Sequence, residues 1–148
     1  MPELHNLTVA ESAARIRERR LSPVALMEAL LSRAQAMEPS LRVWVTLDPD
    51  AALEAARQSE RTLDRSGPVG PLHGVPVGIK DIYCTQGTRT TCCSPIYADF
   101  VPEYDSTAVA LLKKAGAIIM GKTVTTEFAC GDPSPTRNPW NASHTPGG

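Results

Sequence analysis

The chain has 148 residues, 42% of them hydrophobic and 21% charged, with a formal charge of −1. That length is about one domain, able to bury roughly 70% of its unfolded surface, and the near-neutral balance gives no electrostatic reason to expect nucleic acid or an acidic membrane as a partner. No apolar run approaches the ~18–20 residues that cross a bilayer, the first twenty residues lack a signal peptide's apolar centre, and four cysteines without CxxC spacing fit a reducing compartment, so a cytoplasmic protein is expected.

The first third reads as helical. Thr8 and Glu11 have capping-box spacing, and Val9, Ala13 and Ile16 then share one helical face. Ser22-Pro23 is a start signal, a capping hydroxyl followed by proline at the first helical position. Val24, Met27, Leu30, Leu31 and Ala34 supply an apolar stripe, and Pro39 marks its stop. The β-branched and aromatic run LRVWVTLD (41–48) predicts a strand, and Asp48-Pro49 opens a third helix to about Leu63. Glycine and proline make RSGPVGPLHG (65–74) a loop. A boundary is placed there, between a helical lead-in over 1–66 and a first α/β part over 67–148.

After the loop, VPVGIKD (75–81) reads as a strand, and CTQGTRTTCCSP (84–95) is polar and irregular. Asp105 caps a helix through STAVALLKKAG (106–116), with Val109 and Leu112 facing inward and Gly116 at its end. AIIM (117–120) predicts a buried strand and TTEFAC (125–130) a short helix. From Gly131 onward there are four prolines and no periodicity.

Several motifs have a plain structural reading beside the chemical one. GAIIMGKT (116–123) matches the phosphate-binding pattern GxxxxGK[ST], but a helix precedes its first glycine and its four variable residues belong in a core strand. The basic run RIRERR (15–20) reads as the solvated face of an amphipathic helix, with Glu11 four residues before Arg15. The sequon NAS (141–143) matters only in a secreted protein. Cys92-Cys93 lacks histidines at ligand spacing, and His73 in its Gly/Pro loop reads as a turn or packing residue.

Lys80 ends a strand on which Val75, Val77 and Ile79 share the core face. On the other face it neighbours Pro76 and Gly78, which leave space beside it, and Asp81 points away from it. The residues alone leave two readings: a strand-end lysine reaching solvent, the usual fate of lysine, or an amine enclosed for chemistry.

Read together, GPLHGVPVGIKD (70–81), SPIYADFVPEYDSTAVALLKKAGAIIMGKTVTTEFA (94–129) and PTRNPWNASHTPGG (135–148) resemble, in order and spacing, the front half of the amidase signature family. The N-terminal helices resemble that family's lead-in, so the likeness covers essentially the whole chain. It implies an α/β fold, a helical N-terminal layer packed on part of a mixed sheet surrounded by helices. It also implies hydrolysis of amide C–N bonds by a serine nucleophile, a second serine in a cis peptide, and a lysine at the end of the GVPVxxKD strand. The lysine falls on Lys80, and Ala129, Cys130, Gly131 and Asp132 are implied to line the substrate pocket. Both serines are expected beyond Gly148, so this stretch is expected to be a fragment, inactive alone, whose incomplete sheet exposes edges, with AIIM and its neighbours the chief liability.

In such a relay a neutral lysine amine takes a proton from the bridging serine, which takes one from the nucleophile. A lysine does this near pH 7 only if burial lowers its pKa by about 3 pH units. No cofactor or metal is implied. The expected partner is a small-molecule amide, with no nucleic acid and no membrane, and the oligomeric state is open, a homo-oligomer included. Within the family the other reading is the A subunit of a glutamine-dependent aminoacyl-tRNA amidotransferase; outside it, a non-catalytic interaction fragment.

Overall fold

The computed structural model describes residues 3–147. They fall into two compact units, one made of residues up to 34 with 48–77 and 111–120, the other of 35–47, 78–110 and those from 121 onward.

The first unit is built by helix signals that the sequence states openly. Helix α1 (Val9–Arg17) has the full capping box: the Thr8 hydroxyl accepts from the Glu11 N–H and the Glu11 carboxylate accepts from the Thr8 N–H. It ends at Arg19, whose φ of 57° is left-handed, with Arg20 N–H bonded to the Arg15 carbonyl and Arg19 N–H to Ile16. The guanidinium of Arg19 then donates to Asp64 and to the Leu63 carbonyl, and Arg20 pairs with Glu18. The basic run is therefore a capped helix end with local partners. Ala13 and Ile16 are buried as expected, but Val9, in the first turn, is exposed.

Helix α2 (Pro23–Leu41) starts where Ser22-Pro23 predicts, with the Ser22 hydroxyl accepting from Val24 and Ala25 N–H. It differs from expectation at its end, since Pro39 lies inside it. Proline removes one helical donor, and so near the terminus the helix needs only to reach Arg42, which turns out with φ 55°. Leu26 and Met27 are the buried members of its apolar face. Helix α3 (Pro49–Ser66) follows the Asp48 cap, whose carboxylate accepts from Ala51 N–H, and it runs three residues past the expected Leu63. Ala13, Ile16, Leu21, Leu26, Leu63 and Val75 form the aliphatic core of this unit. His73 is buried beside it, its Nδ1 accepting from Val69 N–H at 3.1 Å and its Nε2 3.0 Å from the Ser59 carbonyl, so it is a packing residue as read.

Strands β1 (Trp44–Leu47), β2 (Pro76–Lys80) and β3 (Ile118–Thr123) form a mixed sheet in the order β1-β3-β2. β1 is antiparallel to β3, pairing Trp44 with Thr123 and Leu47 with Gly121. β2 runs parallel to β3: Ile118 N–H donates to the Val75 carbonyl at one end and Asp81 N–H to Thr123 at the other. Within the expected liability of AIIM and its neighbours, β3 is the central strand and the edges are its neighbours β1 and β2.

Helix α4 (Thr107–Lys114) buries Val109 and half-buries Leu112. It closes at Gly116, φ 89°, with Gly116 N–H bonded to Lys113 and Ala117 N–H to Leu112. Residues 118–123 of the phosphate-binding pattern are all strand, so that pattern is not a loop. TTEFAC is shorter than expected: a single 3₁₀ turn, Glu127–Ala129, in which Phe128 has left-handed φ.

Candidate active site

Lys80 is the last residue of β2, and Ile79 before it is buried. Alternation puts the lysine on the face opposite Ile79. Part of the space expected beside it is filled by the chain's own Trp44, whose ring would lie 3.3 Å from a Cβ placed on Gly78 and 3.1 Å from one on Gly121. The remaining space is a cleft of about 110 Å³. Val124, Thr125, Thr126, Ser134, Thr136, Pro146 and Gly147 line it with Lys80, which is half-buried. Among the described residues the Lys80 ammonium has no hydrogen-bond or ion-pair partner.

The walls of the cleft are held from outside it. Thr136 donates its hydroxyl to the Arg42 carbonyl at 2.6 Å, and Arg137 N–H reaches the Leu41 carbonyl. Thr125 N–H donates to the Cys93 sulfur. The hydroxyls of Thr125 and Thr126 are buried and have no hydrogen-bond partner among the described residues. A buried hydroxyl left unpaired costs about 1–3 kcal/mol.

Ala129 is half-buried with φ 60°, while Cys130, Gly131 and Asp132 are exposed in the following loop, and none of the four lines the cleft at Lys80.

Behind Lys80 lies a group of side chains that the sequence reading did not single out. Asp81 is wholly buried and pairs not with Lys80 but with Lys122, also wholly buried, at 3.7 Å. Lys122 Nζ donates to the Tyr83 carbonyl at 2.6 Å and to the Thr90 hydroxyl at 2.7 Å. The other Asp81 oxygen accepts from the Thr91 N–H and hydroxyl and, at 3.5 Å, from Cys93 N–H. Burial pushes the Lys122 ammonium below the ordinary lysine range, with the Asp81 carboxylate opposing it. Burial pushes the Cys92 and Cys93 thiols up, as it does for inert structural cysteines. A clue to this cluster was present: a lysine following AIIMG in a strand must either end the strand or be paired inside.

The family model described as Amidase matches residues 25–148. The chain belongs to the amidase family. The relatives of this amidase-family chain include the A subunit of the glutamyl-tRNA(Gln) amidotransferase of Geobacter metallireducens, 45% identical over 99% of the chain. The chain spans 31% of that relative's length. Among solved structures, the native peptide amidase of Stenotrophomonas maltophilia superposes with a TM-score of 0.86 at 32% identity, over 97% of this chain and 32% of its own. A fatty acid amide hydrolase superposes with a TM-score of 0.84 at 23% identity, over 96% of this chain and 27% of its own, a likeness of fold. The mixed α/β architecture is thus that of the amidase family. Among the described residues no helix is long and apolar enough to cross a membrane.

Proposed function

We propose that this chain supplies the lysine of an amide C–N hydrolase, with Lys80 as the proton-accepting amine. The observation that carries the reading is Lys80 itself: a half-buried lysine without an ion-pair partner among the described residues, at the end of a strand and in the wall of a cleft. A lysine whose only task was solubility would have no need of enclosure. In the relay implied by the family pattern, the amine takes the proton released as the nucleophilic serine attacks the amide carbon, through the bridging serine. It returns that proton to the departing nitrogen. Thr125 and Thr126 line the same cleft as Lys80. The substrate is a small-molecule amide, and reduced free thiols at all four cysteines suit a cytoplasmic setting.

The test is Lys80→Ala in a protein of full family length containing this sequence. Turnover of a simple amide should fall by about 10²–10⁴-fold with the fold intact. Unchanged turnover would remove Lys80 from the chemistry.

A second reading has specific support. The 45% identity with the A subunit of a glutamyl-tRNA(Gln) amidotransferase extends over nearly the whole chain, against 32% for the peptide amidase. On that reading the amide is glutamine and the protein works with partner subunits. Ammonia release from glutamine, compared with release from peptide and aryl amides, separates the two.

A further inference from the structure

The buried pair behind Lys80 has no place in the proton relay, yet its position relative to the lysine is specific. Asp81 is the residue after Lys80, and every polar group that it carries apart from one carboxylate oxygen is tied by a hydrogen bond. Its N–H donates to the Thr123 carbonyl, its carbonyl accepts from Cys92 N–H, and its carboxylate is held by Thr91 and Cys93 N–H. The remaining oxygen faces Lys122 across 3.7 Å, and Lys122 is itself anchored on Tyr83 and Thr90. These bonds connect β2, β3 and the irregular segment 83–93 at the point where the strand stops. We propose that Asp81, Lys122 and Thr91 form a positioning clamp for the amine of Lys80. The inference rests on the reading of Lys80 as the proton acceptor.

The physical case has two parts. A lysine amine sits at the far end of a long flexible side chain, so a small rotation of its Cα displaces Nζ by about 1 Å, and misplacement of that size costs about 10²-fold in rate. Bonds on both sides of the Asp81 backbone, with a third set on its side chain, suppress that rotation. A buried ion pair, moreover, is a poor way to gain stability, since well-packed apolar residues of similar volume often do as well or better. Here the costly pair stands next to the one residue whose orientation the chemistry needs.

The experiment uses a protein of full family length containing this sequence, with a simple amide as substrate. Asp81→Asn combined with Lys122→Met removes both charges together and leaves neither buried alone. Thr91→Val removes the hydroxyl's bond to the carboxylate together with the bond it accepts from Cys93 N–H, and uncovers no charge. The expected result is a kcat lower by about 10–100-fold for the double variant, with KM within about twofold and a thermal midpoint well above the assay temperature. Thr91→Val should show the same split with a loss of about 3–10-fold. A merely structural pair would shift the midpoint and leave kcat unchanged. Wild-type kcat in the folded double variant, or in Thr91→Val should the double variant not fold, overturns the clamp. Lys80→Ala, run in parallel, keeps the outcomes apart: its full activity would defeat the underlying reading, whereas its loss of activity beside unaffected clamp variants defeats the clamp alone.

Discussion

The two compact units bury opposite kinds of side chain. In the first, the interior is aliphatic: Ile16, Leu21, Leu26, Met27, Leu63, Val75, Ile118 and Met120 are buried, with His73 and Ser12 the buried polar residues described there. In the second, Ile79, Val109 and Pro102 are the buried apolar side chains described, beside a larger polar set: Asp81, Thr85, Thr90, Thr91, Ser94, Lys122, Thr125 and Thr126. An aliphatic interior is non-directional and tolerates exchange of like for like. A polar interior is specific, because each group needs its own partner and is costly without it. The second unit is the one that contains Lys80 and the cleft, so the part holding the proposed proton acceptor is fixed by hydrogen bonds more than by packing.

That contrast can be broken by measurement. The largest effect is expected from Lys122→Met alone, which strands the Asp81 carboxylate in the interior: about 3–5 kcal/mol lost in denaturant unfolding, much of it recovered when Asp81→Asn is added. A loss near zero for the single variant would show that water reaches the carboxylate and that the polar interior is not closed. In the aliphatic unit, Leu26→Ala should cost about 2–5 kcal/mol by the same measurement. There no second substitution of a neighbouring polar group should restore it.

Smaller effects sharpen the picture. Gly121→Ala would bring a Cβ to 2.5 Å from the Thr46 carbonyl on the adjacent strand, and the overpacking should cost about 1–3 kcal/mol. A wild-type melting curve for Gly121→Ala would mean that β1 can move away. Thr8→Ala should cost about 1 kcal/mol as the capping hydroxyl is lost. The Glu11 carboxylate is held below its usual range chiefly by the Thr8 N–H and then by the Thr8 hydroxyl. Because its pKa is lower folded than unfolded, its contribution is fully present above the unfolded value, about 4.3, and is lost as pH falls through the folded one. Glu11→Gln should therefore flatten the acid limb of the stability profile, and an unchanged limb would remove Glu11 from it.

Legibility in the sequence followed the same division. Capping boxes, proline starts and glycine stops placed α1, α2, α3 and α4 within a few residues, because those signals act between neighbours along the chain. The misjudged boundaries, Pro39 and the TTEFAC turn, lie where local preference is weak or is overridden by left-handed residues such as Phe128. In the candidate site, Lys80 was visible through strand alternation and through resemblance. The pairing of Asp81 with Lys122 was not, since forty-one positions separate them and a lysine in a Gly-Lys-Thr triplet reads equally well as a surface residue.

By itself, then, the amino-acid sequence determined which segments are helix or strand, the family, and the residue placed at the tip of β2. All of these are set by short-range periodicity and by the order of motifs. The tertiary structure decided which strand is central, what fills the face beside Gly78, and that an acid dismissed as pointing away is bound to a buried base. Those outcomes depend on which distant groups meet once water is excluded, and electrostatic and hydrogen-bond energies become decisive only at that stage.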